Sequence, residues 1–255
     1  LKLAGHSPDS EPLQKAREFI LSKGGIPKVR VFTKIWLALF GQWDWKGTPN
    51  MPPEMIFLPS WAPFNIYEFA SWARATVVPM LIILTRQPYC SVPESANIDE
   101  LYPGDRDGTD YTLPKPTGGF GWGKALWWAD KLVGLYQRLP VHPFRGLAER
   151  KIMRWVLEHQ EADGSWAGIQ PPWVYSLIAL HTLGYGPEHE AVKNGFLGFE
   201  AFVLEDDDKC NVQACISPVW DTCIAQLALL ESGVAPDDPM VQSSARFLMD
   251  KQIFT

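Results

Sequence analysis

The chain has 255 residues, 46% of them hydrophobic, with 23 basic and 29 acidic side chains and a formal net charge of -6. That apolar share supplies a sizeable core for one large domain or parts of two, and the lack of any Lys/Arg run excludes a phosphate-binding stripe, so nucleic acid is not an expected partner. The 12 tryptophans exceed what a core of this size uses, because each buries roughly 150–250 Å²; the sequence calls for aromatic faces or for contact with a membrane interface.

The four cysteines, at 90, 210, 215 and 223, match no zinc spacing. A disulfide framework is out of place in a chain this long and core-rich, so a reduced, cytoplasmic setting is expected. No run of ~18 apolar residues occurs, so no stretch is expected to span a membrane, whereas lying on one is compatible with the composition. Leu1 is not an initiator Met, and Phe247 to Thr255 reads as if more chain followed. The sequence is therefore expected to be a piece of a longer protein.

In chain order, apolar residues at 13, 16, 19 and 20 predict a helix over 13–23, stopped by Gly24-Gly25. Residues 29–43 read as a second helix, apolar on nearly every side and hence buried. Prolines at 49, 52, 53, 59 and 63 make 47–63 a loop. A long apolar helix follows over 66–85, with Pro79 expected to kink it. Residues 87–119 are polar, rich in Pro and Gly, and show little periodicity.

Residues 120–139 predict a helix with Trp122, Ala125, Leu126, Ala129, Leu132, Val133 and Tyr136 on a core-facing side. Trp127, Trp128 and Leu135 fall elsewhere, interleaved with Lys124 and Lys131. Further helices are expected over 143–159, 173–183, 192–204, 219–232 and 240–252. No convincing strand alternation appears. The fold class is all-α, with about nine helices.

Three segments echo one another: Lys15 to Gly25, Lys151 to Gln160 and Ser244 to Gln252. Each is a helix with an aromatic followed by aliphatics, closed by a basic or Gln/Gly turn. The period is irregular, which suits helix pairs closing into a ring better than a solenoid.

The stretch Gln160 to Tyr175, reading QEADGSWAGIQPPWVY, joins two of these helices. Gln160 is placed to bond the orphan carbonyls of its own helix end and the orphan N–H groups of the next helix start. Gly164 permits the turn, and Trp166 can lie over the Gln. That half reads as a structural clasp. Ile169 to Tyr175 reads as an apolar, aromatic wall facing either a core or a substrate. The acidic run Glu205 to Asp208 sits beside Lys209 at an expected helix end and reads as a solvated charge run. His6, His142, His159, His181 and His189 are scattered, with no pair at metal-ligand spacing. No phosphate loop and no activated Ser or Cys stands out.

Several segments together resemble the squalene–hopene cyclases, a family of class II triterpene cyclases. They are Val31 to Phe40, Asn65 to Val78, Arg86-Gln-Pro, His142 to Arg145, Gln160 to Tyr175 and Ile216 to Thr222, and the resemblance covers nearly the whole chain. It implies an α/α-barrel (toroid) of the terpenoid cyclase type. Residues 1–214 would form most of an inserted barrel, and 215–255 the start of the return into a catalytic barrel. The family's activity, proton-initiated cyclisation of squalene to hopene or hopanol, starts from an Asp-x-Asp-Asp acid that this chain lacks, so no catalytic residue is expected here and the isolated chain is expected to be inactive.

The same resemblance assigns site residues. Trp72, Ile169, Pro171 and Trp220 match cavity-wall positions. Gln170 matches a position near the end where the last cation loses a proton or takes up water. Tyr175 and Asp221 match buried polar positions close to the cavity, although Asp221 reads equally as a helix N-cap. Phe69 and Val77 match a constriction between the cavity and a membrane-facing entrance, and their spacing along one helix face fits core packing as well. Trp127, Trp128 and Leu135 match a membrane-facing region. Implied are squalene as substrate, a peripheral (monotopic) place on the cytoplasmic side of a membrane, a possible homodimer of the complete enzyme, and no metal or cofactor, since the initiating step is Brønsted acid catalysis. Two alternatives stay open: a cyclase for another polyprenoid, and a catalytically dead α-barrel that binds lipid or a protein partner.

Overall fold

The computed structural model describes residues 1–119 and 121–252. Phe120, the expected first residue of the fourth helix, lies outside the described residues, as do 253–255 at the end of the run-on stretch. Nine α-helices are present among the described residues: α1 Glu11–Ser22, α2 Val31–Leu39, α3 Ser71–Arg86, α4 Trp122–Gln137, α5 Arg145–Glu158, α6 Gln170–Thr182, α7 Glu190–Glu200, α8 Pro218–Glu231 and α9 Pro239–Asp250. The all-α expectation holds, and so does the expected helix count.

The centre is the pairing of α3 with α6, flanked by α5 and by the 3-10 turn Pro53–Phe57. Helix α3 is apolar on all sides because it is enclosed: Ala75, Thr76 and Val78 to Leu84 are buried. Pro79 lies inside this helix, which is continuous from 71 to 86. The main core gathers Val78, Leu81 and Ile82 of α3 with Ile152, Met153 and Val156 of α5 and with Trp173, Ala179 and Leu180 of α6. A charged clamp closes one side of it. Arg86 donates from Nε and Nη2 to the two carboxylate oxygens of buried Glu149 at 2.7 and 2.6 Å, the bidentate geometry that suits guanidinium and carboxylate best.

Residues 87–119 are not loose, despite their lack of periodicity. Tyr102 and Tyr111 pack on Trp43 with ring centroids 6.5 and 4.6 Å away, and the Tyr102 hydroxyl donates to the Gln42 carbonyl. Together with Ile26 and Ala38 they form a small separate core.

The clasp between α5 and α6 works differently from the expectation. The Gln160 amide donates to the carbonyls of Gly164 (3.1 Å) and Ala191 (2.8 Å), and so reaches the first turn of α7 rather than the end of its own helix. Trp166 is what caps α5. Its ring is fully buried and Nε1 donates to the Val156 carbonyl at 2.7 Å, one of the last-turn acceptors left without an intrahelical donor. Trp173 completes the tie, donating from Nε1 to the Gly195 carbonyl at 2.9 Å. Gly164 has φ +86°, and a Cβ there would stand 2.1 Å from the Asn194 carbonyl oxygen. The turn therefore needs glycine both for its backbone and for its proximity to α7.

Two expectations about local structure are corrected. Helix α7 ends at Glu200, not at 204, and is followed by an antiparallel hairpin, β1 Val203–Asp206 with β2 Lys209–Val212, in which Asp206 pairs with Lys209. The acidic run therefore forms the exposed tip of a hairpin. Val203-Leu204 and Cys210 to Val212 around a polar turn are the strand signal, masked by the helical pattern upstream. In α4 the expected core side is only partly covered: Trp122 (79%), Leu126, Ala129 and Leu132 are exposed, while Ala125, Val133 and Tyr136 are half-buried. Its inner edge is instead Trp127, Asp130 and Gly134: Trp127 Nε1 donates to the Leu113 carbonyl (3.3 Å), the Asp130 carboxylate accepts from the Asn50 backbone N–H (2.8 Å), and Gly134 lies close to the Asn50 amide.

If Trp166 and Gly164 hold α5, α6 and α7 together, Trp166→Ala should cost about 3–5 kcal/mol, as large aromatic truncations in cores do. Gly164→Ala should also lower the thermal midpoint, with Gly184→Ala, where nothing lies near the Cβ, showing the effect of left-handed backbone alone. Denaturant melts read the first change and thermal melts the second. Near-wild-type stability of Trp166→Ala would remove the clasp.

Candidate functional site: the starts of α3, α6 and α8

The start of α6 is built from Ile169-Gln170-Pro171-Pro172. The structure begins the helix at Gln170, three residues before the expected Trp173, with Ile169 as N-cap at φ -135°, ψ 148°. The Pro-Pro pair is thus inside the first turn, where the missing N–H groups have no intrahelical partner to lose. The segment before α8 pairs with this start. Gln170 N–H donates to the Ala214 carbonyl (2.8 Å), Ile216 N–H donates to the Gly168 carbonyl (3.2 Å), and Ile169 and Cys215 form an antiparallel bridge.

That pairing brings Ile169, Gln170 and Pro171 beside the first turn of α8, which carries Trp220 and Asp221. Trp220 is 69% exposed. Asp221 is exposed and not buried as expected, and it is not the N-cap either: Ser217 takes that position, and its hydroxyl donates to Asp221 Oδ2 at 3.0 Å. Helix α8 has no buried residue; its packing partner is α9, which explains why its first-turn carboxylate meets no enclosing wall.

Tyr175 is the polar group that does prove buried, 2% exposed, packed among Ile35, Leu39, Met80, Ile83 and Leu84. Its ring centroid lies 5.8 Å from that of Trp36, and burial pushes its phenol above the usual tyrosine value. Trp36 was not singled out from the sequence; an aromatic in a helix that is apolar all round carries no distinguishing mark.

Trp72, in the first turn of α3, is 60% exposed, whereas Ala75, Thr76 and Val78 to Leu84 of the same helix are buried. Phe69 and Val77 are half-buried. They do not share a helix, because α3 starts at Ser71 and Phe69 follows the 3-10 turn Ile66–Glu68. The segment before α3 is tightly held. Asn65 is fully buried, its amide donating to the carbonyls of Ser60 (3.1 Å) and Ala62 (2.8 Å) while its oxygen accepts from Tyr67 N–H (2.9 Å). Arg74 reaches back from α3, donating from Nε to the Ile66 carbonyl (2.9 Å) and from Nη2 to the carbonyls of Phe69 (3.1 Å) and Tyr67 (3.4 Å). Sequence reasoning missed Arg74, because its partners are backbone carbonyls, which leave no trace in residue identity.

On α4, Trp128 and Leu135 are exposed as expected, and Leu132 joins them at i+4 and i+7 spacing from Trp128 on one face. Trp127 does not belong to that face; it is turned to Leu113, with Lys115 and Lys131 nitrogens 5.7 and 5.2 Å from its ring. Trp127 and Asp130 make their hydrogen bonds to residues 113 and 50.

A separate apolar groove of about 560 Å³ runs between α2, α6 and α7, lined by Trp36, Leu39, Val174, Leu177, Phe196 and Phe199 among others. None of the expected site residues lines it. Among the described residues no cluster of three His, Cys, Asp or Glu side chains able to hold a metal occurs, and no helix is long and apolar enough to cross a membrane. The four cysteines are free and exposed.

Comparison with known proteins gives this arrangement its context. The family description "Squalene-hopene cyclase N-terminal domain" matches residues 1–208, and "Squalene-hopene cyclase C-terminal domain" matches 216–255. The chain belongs to the squalene–hopene cyclase family. Its fold is accordingly the all-α, α/α-barrel architecture of the terpenoid cyclases. A squalene–hopene cyclase of Alicyclobacillus acidocaldarius subsp. acidocaldarius is 47% identical over 99% of this chain and 39% of its own length. A dammaradiene synthase of Dryopteris crassirhizoma is 40% identical over 99% of this chain and 37% of its own. A squalene–hopene cyclase of Bradyrhizobium diazoefficiens is 30% identical over 99% and 38%. The chain thus spans about two fifths of the length of these relatives. Asn65, Arg74, Trp166 and the 168–170 pairing lie within or beside the segments that carry the resemblance.

The raised Tyr175 pKa has a consequence for stability. The fold favours the neutral phenol, so Tyr175 contributes fully below the unfolded value of about 10 and loses its contribution as pH rises beyond it. Between about pH 9 and about pH 11, denaturant melts should show a steeper loss of stability for the wild type than for Tyr175→Phe. Equal losses would mean that the Tyr175 phenol is not shielded from water.

Proposed function

We propose that the chain supplies part of the cavity wall of a squalene–hopene cyclase, which converts squalene to hopene or hopanol through a proton-initiated carbocation cascade. The observation that carries this reading is the state of Trp72 and Trp220: two large rings left 60% and 69% exposed at helix starts whose neighbouring backbone is fixed. A migrating carbocation needs stabilisation without a nucleophile that traps it, and aromatic faces in a dry site supply ~0.5–2 kcal/mol each. Ile169 and Pro171 add shape and no basic atom. The initiating carboxylic acid is proposed to come from outside these 255 residues.

Gln170 is the polar group at this wall, and in the proposed enzyme it holds the water that meets the final cation. Tyr175 orients the start of α6 from within the core. Phe69 and Val77 narrow the approach to the cavity. Asp221, exposed here and bonded to Ser217, serves to order the α8 start. The exposed face Trp128, Leu132 and Leu135, with Lys124 and Lys131 near its edge, suits the headgroup boundary of a membrane, from which an insoluble hydrocarbon substrate is drawn. Because one relative is named a dammaradiene synthase, the product is taken to depend on the shape of such a wall.

A second reading rests on the groove between α2, α6 and α7. At about 560 Å³ and with Trp36, Leu177 and Phe196 in its lining, it has the size and character of a small lipid site. On that reading the chain binds lipid without converting it.

The product spectrum of the complete cyclase decides the role of Gln170. Replacing Gln170 with Ala should shift the hopanol-to-hopene ratio several-fold, with total turnover reduced by less than about tenfold. An unchanged ratio would remove Gln170 from the quenching step.

A further inference from the structure

We propose that Arg74 is a positioning residue for Phe69 at the mouth of the cavity; the inference rests on the cyclase reading above and assigns a role that the reading leaves open. The backbone from Ile66 to Ala70 turns through one 3-10 turn and then runs extended, with Phe69 at φ -78°, ψ 143° and Ala70 at φ -53°, ψ 151°. This geometry leaves the carbonyls of Ile66, Tyr67 and Phe69 without a backbone donor among the described residues. Arg74 supplies all three, from one planar guanidinium, which also lies 5.3 Å from the Tyr67 ring centroid. No carboxylate pairs with Arg74 among the described residues, so its charge is committed to backbone acceptors.

The arrangement has a mechanical meaning. Arg74 sits in the first turn of a helix whose remainder is locked into the core, so it ties Phe69 to the most rigid part of the molecule. A lysine donates its three protons from a single nitrogen, whereas the guanidinium fork reaches these carbonyls from two separate nitrogens held in one plane. Asn65 fixes the preceding loop by the same means. Phe69 is therefore held from both sides, and a half-buried ring at a passage does its work only if its backbone does not drift.

The test uses the complete cyclase with squalene in detergent micelles and compares Arg74→Lys, Arg74→Gln, Phe69→Ala and the Arg74→Lys/Phe69→Ala double variant. Arg74→Lys should change KM by about 5–10-fold with kcat within about twofold, in the same direction as Phe69→Ala. In the Phe69→Ala background, Arg74→Lys should have no further effect, because the residue acts through Phe69. Independent, multiplicative effects of the two changes, a fall in kcat with KM unaltered, or a lowered melting temperature with unaltered kinetics would each overturn the proposal. If Arg74→Gln fails to accumulate, Arg74→Lys alone decides. Phe69→Ala separates the two levels of inference: no change of KM in that variant would remove the constriction itself, and with it the cyclase reading of this end of the wall, whereas a change in Phe69→Ala without one in Arg74→Lys would remove only the role of Arg74.

Discussion

Two backbone hydrogen bonds hold the rest of the site in place: Gln170 N–H to the Ala214 carbonyl and Ile216 N–H to the Gly168 carbonyl. They join the start of α6 to the approach of α8 across a span that contains α7 and a hairpin. Helix α8 has no buried residue of its own, so these bonds contribute to its attachment to the rest of the molecule. With them, the Ile169 to Pro171 turn is joined to the segment that leads into the first turn of α8, which carries Trp220. Each bond contributes only about 0.5–1.5 kcal/mol to stability. Their effect on geometry is larger, because they settle which helix starts face one another.

Around that joint the protein uses polar groups sparingly and turns most of them toward backbone. Trp166 and Trp173 spend their indole N–H groups on the Val156 and Gly195 carbonyls. Asn65 and Arg74 spend theirs on five carbonyls between residues 60 and 69. The buried acid Glu149 is neutralised bidentately by Arg86. Each device satisfies a donor or acceptor that would be costly to bury alone.

Much of this was legible in the sequence, and the failures have identifiable causes. All nine helices follow from 3.6-residue periodicity, since their apolar positions recur every three or four residues. Periodicity does not say which side of a helix is covered, and α4 shows the consequence: Leu132, grouped with the core side, is exposed, and Trp127, grouped with the outer side, is turned in. The β1–β2 hairpin was hidden because four acidic residues read as a helix end, yet Asp206 and Lys209 pair across its tip. Family resemblance picked out Ile169, Gln170 and Pro171, on a segment the structure pairs with the approach to α8, Trp220 in the first turn of that helix, and also Asp221, which it leaves exposed. It could not reveal Arg74, Trp36 or the true cap Trp166, whose roles depend on backbone acceptors and on neighbours distant in sequence.

The central claim is that hydrocarbon meets the joined starts of α6 and α8 and not the groove between α2, α6 and α7. A squalene analogue carrying a photoreactive diazirine, crosslinked in the complete cyclase and located by peptide mass spectrometry, tests it most directly. The account predicts adducts at Ile169, Pro171 and Trp220, lost on competition with squalene. Adducts confined to Trp36, Leu177 and Phe196 would contradict it.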